Sequence, residues 1–248
     1  MQLDAFLSSL RVHVGAAYAP VVLFRASDRR FAAGYAAVRA EYSDVEWLEE
    51  TDFRRDLLSS LDTSGLLVFH TDDDVFFGGL APFELADDEI CFSLRLGLNV
   101  RYSYSLDRPE RLRGPSVREE RVSWNWRVQD VGSFSYPLAL NGHVFRSAEA
   151  RGLIEAVDFS NPNELESQLH ARDGLSRPRI ASFIHSRVVS IPANIVTSTF
   201  RNRHGGLETA AELNERFLAG ERIDPAGMAF DHVASCHEEI PFAYRRVD

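Results

Sequence analysis

Leu66-Leu67-Val68-Phe69-His70-Thr71-Asp72-Asp73-Asp74-Val75-Phe76-Phe77 sets three adjacent carboxylates between two apolar runs. Leu66 to Phe69 reads as a strand, and the acidic triplet sits at its C-terminal end. Like charges side by side repel, so a fold gains no stability from the cluster unless a cation sits there. Hard divalent cations such as Mg²⁺ or Mn²⁺ take oxygen ligands and share them with substrate phosphates. A strand-end Asp-x-Asp is therefore a candidate metal–diphosphate site. The competing reading is a plain turn, where Asp is common.

On the N-terminal side, Pro20 to Arg25 reads as a buried strand. Ser27-Asp28 offers an N-cap, and Phe31, Tyr35, Val38 and Tyr42 have helical spacing. Val45 to Leu48 is a short second strand, and Asp52 caps a helix through about Leu61. The order β-α-β-α-β predicts right-handed crossovers and a largely parallel sheet. Ligands of such sheets bind beyond the carboxyl ends of the strands. Arg25-Ala26-Ser27, Glu49-Glu50-Thr51 and Asp72 to Asp74 all fall on that edge.

On the C-terminal side, Ile90 to Leu96 alternates as a strand, residues 101–120 read as a polar surface loop, and Arg121 to Trp126 alternates again. Asn141-Gly142 is a turn signal before a strand, His143 to Arg146. Ser147 opens a helix to about Ala156, Asn163 is the expected N-cap of the next, and Val188 to Ile191 is a short strand. Thr209 to Leu218 is a helix that Gly220 stops.

The 248 residues suit one domain with a sizeable core, at 45% hydrophobic and 26% charged residues. A net charge of −10, from 37 acidic and 27 basic residues, argues against a nucleic-acid partner. The positive charge is carried by Arg, which suits bidentate phosphate binding but is also an ordinary consequence of genomic composition. Cys91 and Cys236 set neither a disulfide framework nor a zinc site. No signal peptide and no transmembrane run is visible, so a cytoplasmic protein is expected, with peripheral membrane association left open.

These segments together resemble the GT-A-fold glycosyltransferase superfamily. The resemblance covers nearly the whole chain, and Thr71 to Phe77 is its sharpest element. Phe92-Ser93-Leu94-Arg95-Leu96-Gly97, Tyr136 to Arg146, Asn161-Pro162-Asn163-Glu164-Leu165-Glu166 and Leu213 to Gly220 are similar to a bacterial polysaccharide-type branch. In that branch Asp is the more usual residue at the position of Asn141, so Asn141 receives no catalytic role. The resemblance implies an α/β GT-A fold with a mostly parallel central sheet. It implies one domain over 1–248, with a nucleotide-binding half to about residue 80 and a mixed acceptor-binding half after it.

It further implies a metal-dependent, inverting transfer of sugar from a nucleotide-sugar donor to a saccharide or lipid-linked saccharide, in cell-surface polysaccharide biosynthesis. Asp74 would ligate Mn²⁺ or Mg²⁺ directly, Asp72 would bind ribose or the metal through water, and Asp73 would support them. His237 would complete the metal site from the C-terminal segment, with His232 a weaker competitor; His70 reads as buried structure. Arg25, Ala26, Ser27 and Glu50 would hold base and ribose, and Arg54 and Arg55 would reach phosphate. Glu164 or Glu166 would be the base that takes the acceptor proton, with Asp158 a further candidate. Trp124, Trp126 and Tyr136 are candidates for a sugar-stacking platform, although Trp is more often core. Two other readings stand beside this one. A nucleotidyltransferase would be expected to carry a Gly-rich loop, and Arg25 to Arg29 has no glycine. A non-catalytic nucleotide-sugar-binding protein would not need an intact acidic triplet.

Overall fold

The computed structural model describes residues 1–172, 174–193 and 208–247. Helix α1, Gln2–His13, opens the chain. Strand β1, Val21–Phe24, is followed by α2, Arg29–Glu41, whose first turn is held by Asp28 accepting from the amides of Arg30 and Phe31. Strand β2, Glu46–Glu49, pairs in parallel with β1. Asp52 caps α3, Phe53–Ser60, by accepting from the Arg55 amide. Strands β3, Leu66–Val68, and β4, Asp74–Phe76, then flank the acidic triplet.

Further along come β5, Glu89–Ser93; β6, Tyr102–Ser103; β7, Arg108–Pro109; β8, Ser116–Arg118; β9, Arg121–Asn125; and β10, His143–Arg146. Helices α4, Ser147–Glu155, and α5, Pro162–His170, precede β11, Arg179–Phe183, and β12, Val188–Ser190. Helix α6, Ala210–Leu218, starts in a capping box in which Thr209 and Glu212 satisfy each other's amides. Strands β13, Glu221–Ile223, and β14, Tyr244–Arg246, form a closing hairpin-like ladder.

The fold is α/β, and its sheet is mixed. The main sheet runs β3-β10-β5-β11-β9-β8, and only β5 and β11 pair in parallel within it. A largely parallel sheet was the expectation. The reason for the difference is connection length: the chain returns in the same direction to a paired strand only through long connections, the β1–α2–β2 crossover and the long stretch from β5 to β11. The β8–β9 turn at Glu119-Glu120 is too short for anything but antiparallel pairing. Strand β3 stands at the edge of this sheet, not at its centre. Residues 101–120 are not a plain loop, because they hold the β6–β7 ladder and β8. Asn161, not Asn163, caps α5, accepting from the Glu164 amide with Pro162 in the first turn. Ser147 is the first helical residue of α4 and makes no cap bond.

Strand alternation divides the apolar side chains of the main sheet between two cores, and a third forms around Val75, Val189, Leu213 and Ile223. Leu23, Leu67, Cys91, Phe145 and Ile180 join α3, α4 and α5 through Leu57, Ile154 and Leu165. Val22, Val68, Phe92, Val144 and Ala181 face α1, α2 and α6 through Leu7, Val38 and Phe217. Helices therefore cover both faces, and each fully buried Leu or Phe contributes about 1.5–3 kcal/mol. The close fit of α2 on α6 depends on Gly34, where an added Cβ would lie 2.1 Å from Asn214 Oδ1.

Two backbone junctions position the site. Gly142, with φ at +63°, receives the Leu94 amide on its carbonyl and gives its own amide to Phe69, tying the ends of β3 and β5 to one turn. A Cβ there would sit 3.1 Å from Val188 Cγ1 and 3.4 Å from Arg95 Cβ. Ser190 pairs with Asp74 across β12 and β4. It also takes the Glu238 amide and gives its own to Cys236, which brings His237 to the acidic triplet.

Candidate functional site

The three consecutive aspartates have three different surroundings. Asp74 has no exposed surface. Its Oδ2 lies 2.7 Å from His70 Nδ1, and its Oδ1 accepts from Ser190 Oγ at 2.7 Å. Burial opposes its ionisation, but His70, Ser190 and the charge of Arg95 outweigh that and hold its pKa below the ordinary value. Ser190 Oγ in turn accepts from Asn141 Nδ2 at 2.8 Å, and the same amide reaches Thr71 Oγ1 at 3.1 Å.

Asp73, half-buried, lines a cavity of about 720 Å³. Burial and the neighbouring Asp74 and Asp72 carboxylates push its pKa up to about 7. Asp72 is exposed. It and Glu50 both act on the Tyr35 phenol, whose pKa is pushed up to about 12 by burial and then by these two carboxylates.

The cavity gathers residues from across the chain. Arg95, just past β5, is buried and donates to His237 Nδ1 at 3.2 Å and to the Asn141 carbonyl at 3.5 Å. His237 is held neutral by burial and by Arg95, which lower its pKa to about 3 against the pull of Asp74. Glu166 lies on the cavity wall with its Oε1 accepting from the Leu140 amide at 3.0 Å. Tyr136 and His170 stack at 4.3 Å between ring centroids beside it.

The structure thus brings Asp73, Glu166, His237 and Tyr136 to one cavity. Asp74 and the nucleotide group are elsewhere. Arg25 and Glu50 meet as an ion pair at 3.6 Å, with Ala26 and Ser27 following β1 at the same strand ends. Glu164 faces away from the cavity, taking the Ser160 amide and hydroxyl at 2.8 and 2.7 Å, which lower its pKa. Asp158 is exposed, 4.0 Å from Arg54 Nε, and Arg54 donates Nε to the Val157 carbonyl and Nη2 to the Glu155 carbonyl. Arg55 is tied to Asp56 and Thr51. Trp124 is fully buried core, its indole donating to the Phe134 carbonyl, and Trp126 donates to the Arg177 carbonyl. A three-ring stacking platform is therefore not formed, and only Tyr136 faces the cavity. His232 is exposed and lies outside it. Sequence reasoning passed over Arg95, His170 and Ser235 as site residues. The signal for Arg95 was a lone cation in the apolar strand run Ile90 to Leu96.

A divalent cation was the expected cofactor. Among the described residues, no group of three His, Cys, Asp or Glu side chains lies together as a metal cage. Asp74 does not fit the role of direct ligand, because both oxygens are engaged and it has no surface. His237 does not fit it as arranged, because Nδ1 already accepts from Arg95, so a neutral ring carries its proton on Nε2. Asp73 does fit. Its carboxylate is crowded by two others and has no cation partner among the described residues, and a site with one or two protein oxygens completed by phosphate and water is the Mg²⁺ habit.

No described helix is long and apolar enough to cross a membrane. Set against known proteins, the chain matches no family model, no curated protein and no solved structure.

Proposed function

We propose that this chain transfers a sugar from a nucleotide-sugar donor to a hydroxyl of a saccharide acceptor, with inversion. The observation that carries this reading is the convergence of Asp73 and Glu166 on one cavity, from a strand junction and a helix remote from each other in sequence. Arg25, Glu50 and Asp72 lie at the strand ends outside the cavity, where the nucleotide would bind. A divalent cation held by Asp73 and Asp72 would neutralise charge developing on the diphosphate leaving group.

The chain's own residues divide the remaining work. Glu166 is anchored through Oε1 by the Leu140 amide, which leaves Oε2 to take the acceptor hydroxyl proton. Tyr136 offers a flat ring to an apolar sugar face. The Arg95–His237 pair lines the same space as fixed positive and neutral donors.

The test is product analysis with UDP-, GDP- and dTDP-sugars, Mn²⁺ and cell-envelope saccharides. Glycosyl transfer with inverted anomeric configuration is expected. Glu166→Gln should lower turnover by about 10²–10⁴ with donor binding kept, whereas Glu164→Gln should leave turnover near normal. Nucleotidyl transfer, or full activity of Glu166→Gln, would refute the proposal.

A further inference from the structure

The segment from Arg101 to Val131 differs in charge from the rest of the molecule. It holds seven arginines against five acidic residues, in a chain whose net charge is −10. Two of the arginines are committed, Arg113 to Asp130 and Arg121 to Glu89. Arg101, Arg108, Arg111, Arg118 and Arg127 are exposed and, among the described residues, form no ion pair with a carboxylate. The acids are largely occupied. Asp107 takes the Tyr102 hydroxyl, Glu110 takes the Ser133 amide and Asp130 takes Arg113, which leaves Glu119 and Glu120 at the β8–β9 turn.

The same segment carries aliphatic side chains in the open. Leu106 is 42% exposed, Val117 49%, Val128 60% and Val131 74%. Hydrogen bonds lace its pieces into one surface. Arg108 donates to the Val131 carbonyl at 2.6 Å, and the Gln129 amide pairs with both backbone groups of Arg113 at 2.8 and 2.9 Å. The Glu110 amide donates to the Arg101 carbonyl, and β8 joins through its ladder with β9. Leu106 and Val131 also line the cavity, so this surface surrounds part of its mouth. One exposed Val or Leu needs no explanation, but four set among five unpaired guanidinium groups do.

The combination specifies the occupant. It must be anionic for the arginines and apolar for the aliphatic tips. A nucleic acid offers phosphates but no apolar layer for Val128 and Val131. The centre of a protein contact is enriched in aromatic residues, whereas the exposed apolar groups of this surface are Leu and Val alone. A phospholipid surface supplies both parts, since its headgroups meet guanidinium groups and its acyl boundary takes shallow aliphatic side chains. The remainder of the chain is more acidic than the whole and is repelled by the same headgroups, which fixes the orientation. We propose that residues 101–131 seat this chain on an anionic membrane surface, with Leu106, Val128 and Val131 entering the headgroup layer and the cavity mouth turned toward it. The claim is independent of the sugar-transfer reading, because vesicle binding needs neither nucleotide nor acceptor.

The test is co-sedimentation of the full chain with vesicles of phosphatidylcholine, alone or with about a third phosphatidylglycerol, at about 50 and about 500 mM NaCl. At low salt the anionic vesicles should bind at least about tenfold more tightly than the neutral ones, and high salt should remove most of that margin. Arg111→Gln with Arg118→Gln should weaken binding about 30-fold, since each cation near the surface contributes about fivefold. Val128→Glu with Val131→Glu should abolish it. All four positions are exposed, so native circular dichroism should be kept. Arg29→Gln with Arg245→Gln, which removes two exposed cations outside the segment, should leave binding unchanged. No binding to anionic vesicles, equal binding to neutral ones, or the same loss in the Arg29 and Arg245 pair would overturn the proposal. So would a lipid-free dimer in gel filtration that Val128→Glu with Val131→Glu breaks, because the surface would then be a contact between copies of the chain.

Discussion

The polar network around Asp74 and the wall of the neighbouring cavity share Asn141, yet they are built in opposite ways. In the network, Asp74 spends both oxygens on His70 and Ser190, and Ser190 spends its proton and a lone pair on Asp74 and Asn141. On the wall, Arg95 Nε, Asn141 Oδ1 and Ser235 Oγ have no partner among the described residues. Buried polar groups are normally paired, since an unpaired one costs about 1–3 kcal/mol. The network leaves one atom, His70 Nε2, without a partner among the described residues, and it meets the wall at Asn141. The lesson is that acidic residues side by side in sequence need not share a task.

The contrast predicts a graded set of effects. Asp74→Ala leaves His70 and Ser190 unpaired in the interior, and chemical denaturation should show a loss of about 3–5 kcal/mol. A loss below 1 kcal/mol would mean that Asp74 is not structural and would break the comparison. Ser190→Ala removes one donor to Asp74 and one acceptor for Asn141, and should cost about 1–3 kcal/mol by the same measurement. Its effect should be much smaller in an Asp74→Ala background, because the two belong to one network.

Asp73→Asn sharpens the comparison from the other side. Folded Asp73 titrates near 7, above its ordinary 3.8. Between those values the folded chain holds a proton that the unfolded chain has released. Asp73 therefore weakens the fold progressively as pH rises from about 4 to 7, and no further above that. The Asn variant lacks this penalty. It should match the parent at pH 4 and exceed it by something of order 1 kcal/mol at pH 8, after allowance for solvent screening. A parent more stable than Asp73→Asn at pH 8 would contradict the assignment.

The first half of the chain was legible because its signals are local. Asp28 and Asp52 cap as their positions demand, and β1 and β2 pair in parallel as the intervening helix requires. Leu3, Phe6, Leu7 and Leu10 also have helical spacing, a signal for α1 that went unused. Sheet order was not legible, since nothing in Leu66 to Val68 shows that its neighbour will be Val144 to Arg146 running the other way. The site was half legible. Residue type and order marked the acidic triplet, with Asp74 as its direct ligand and Asp73 in support, and offered Glu164 beside Glu166; which carboxylate meets a cavity is decided only in three dimensions. That Arg95 meets His237 and the Asn141 carbonyl is a statement about distances in space, and no spacing in the chain encodes it.

Ser190 lies between β4 and the segment at Cys236 to Glu238, facing Asp74 in the β12–β4 ladder and joined to the other segment by backbone hydrogen bonds. That position has a temporal consequence. During synthesis the acidic triplet emerges early, while the hydroxyl that stabilises Asp74 and the imidazole that meets Arg95 emerge much later. Contacts of such long sequence separation close slowly, because the loop entropy must be overcome before the pairing stabilises anything. A nascent chain that has not reached Glu238 holds Asp74 without its settled surroundings. The cavity wall is then among the last parts to take shape, and any ligand that fits it reports on a completed chain.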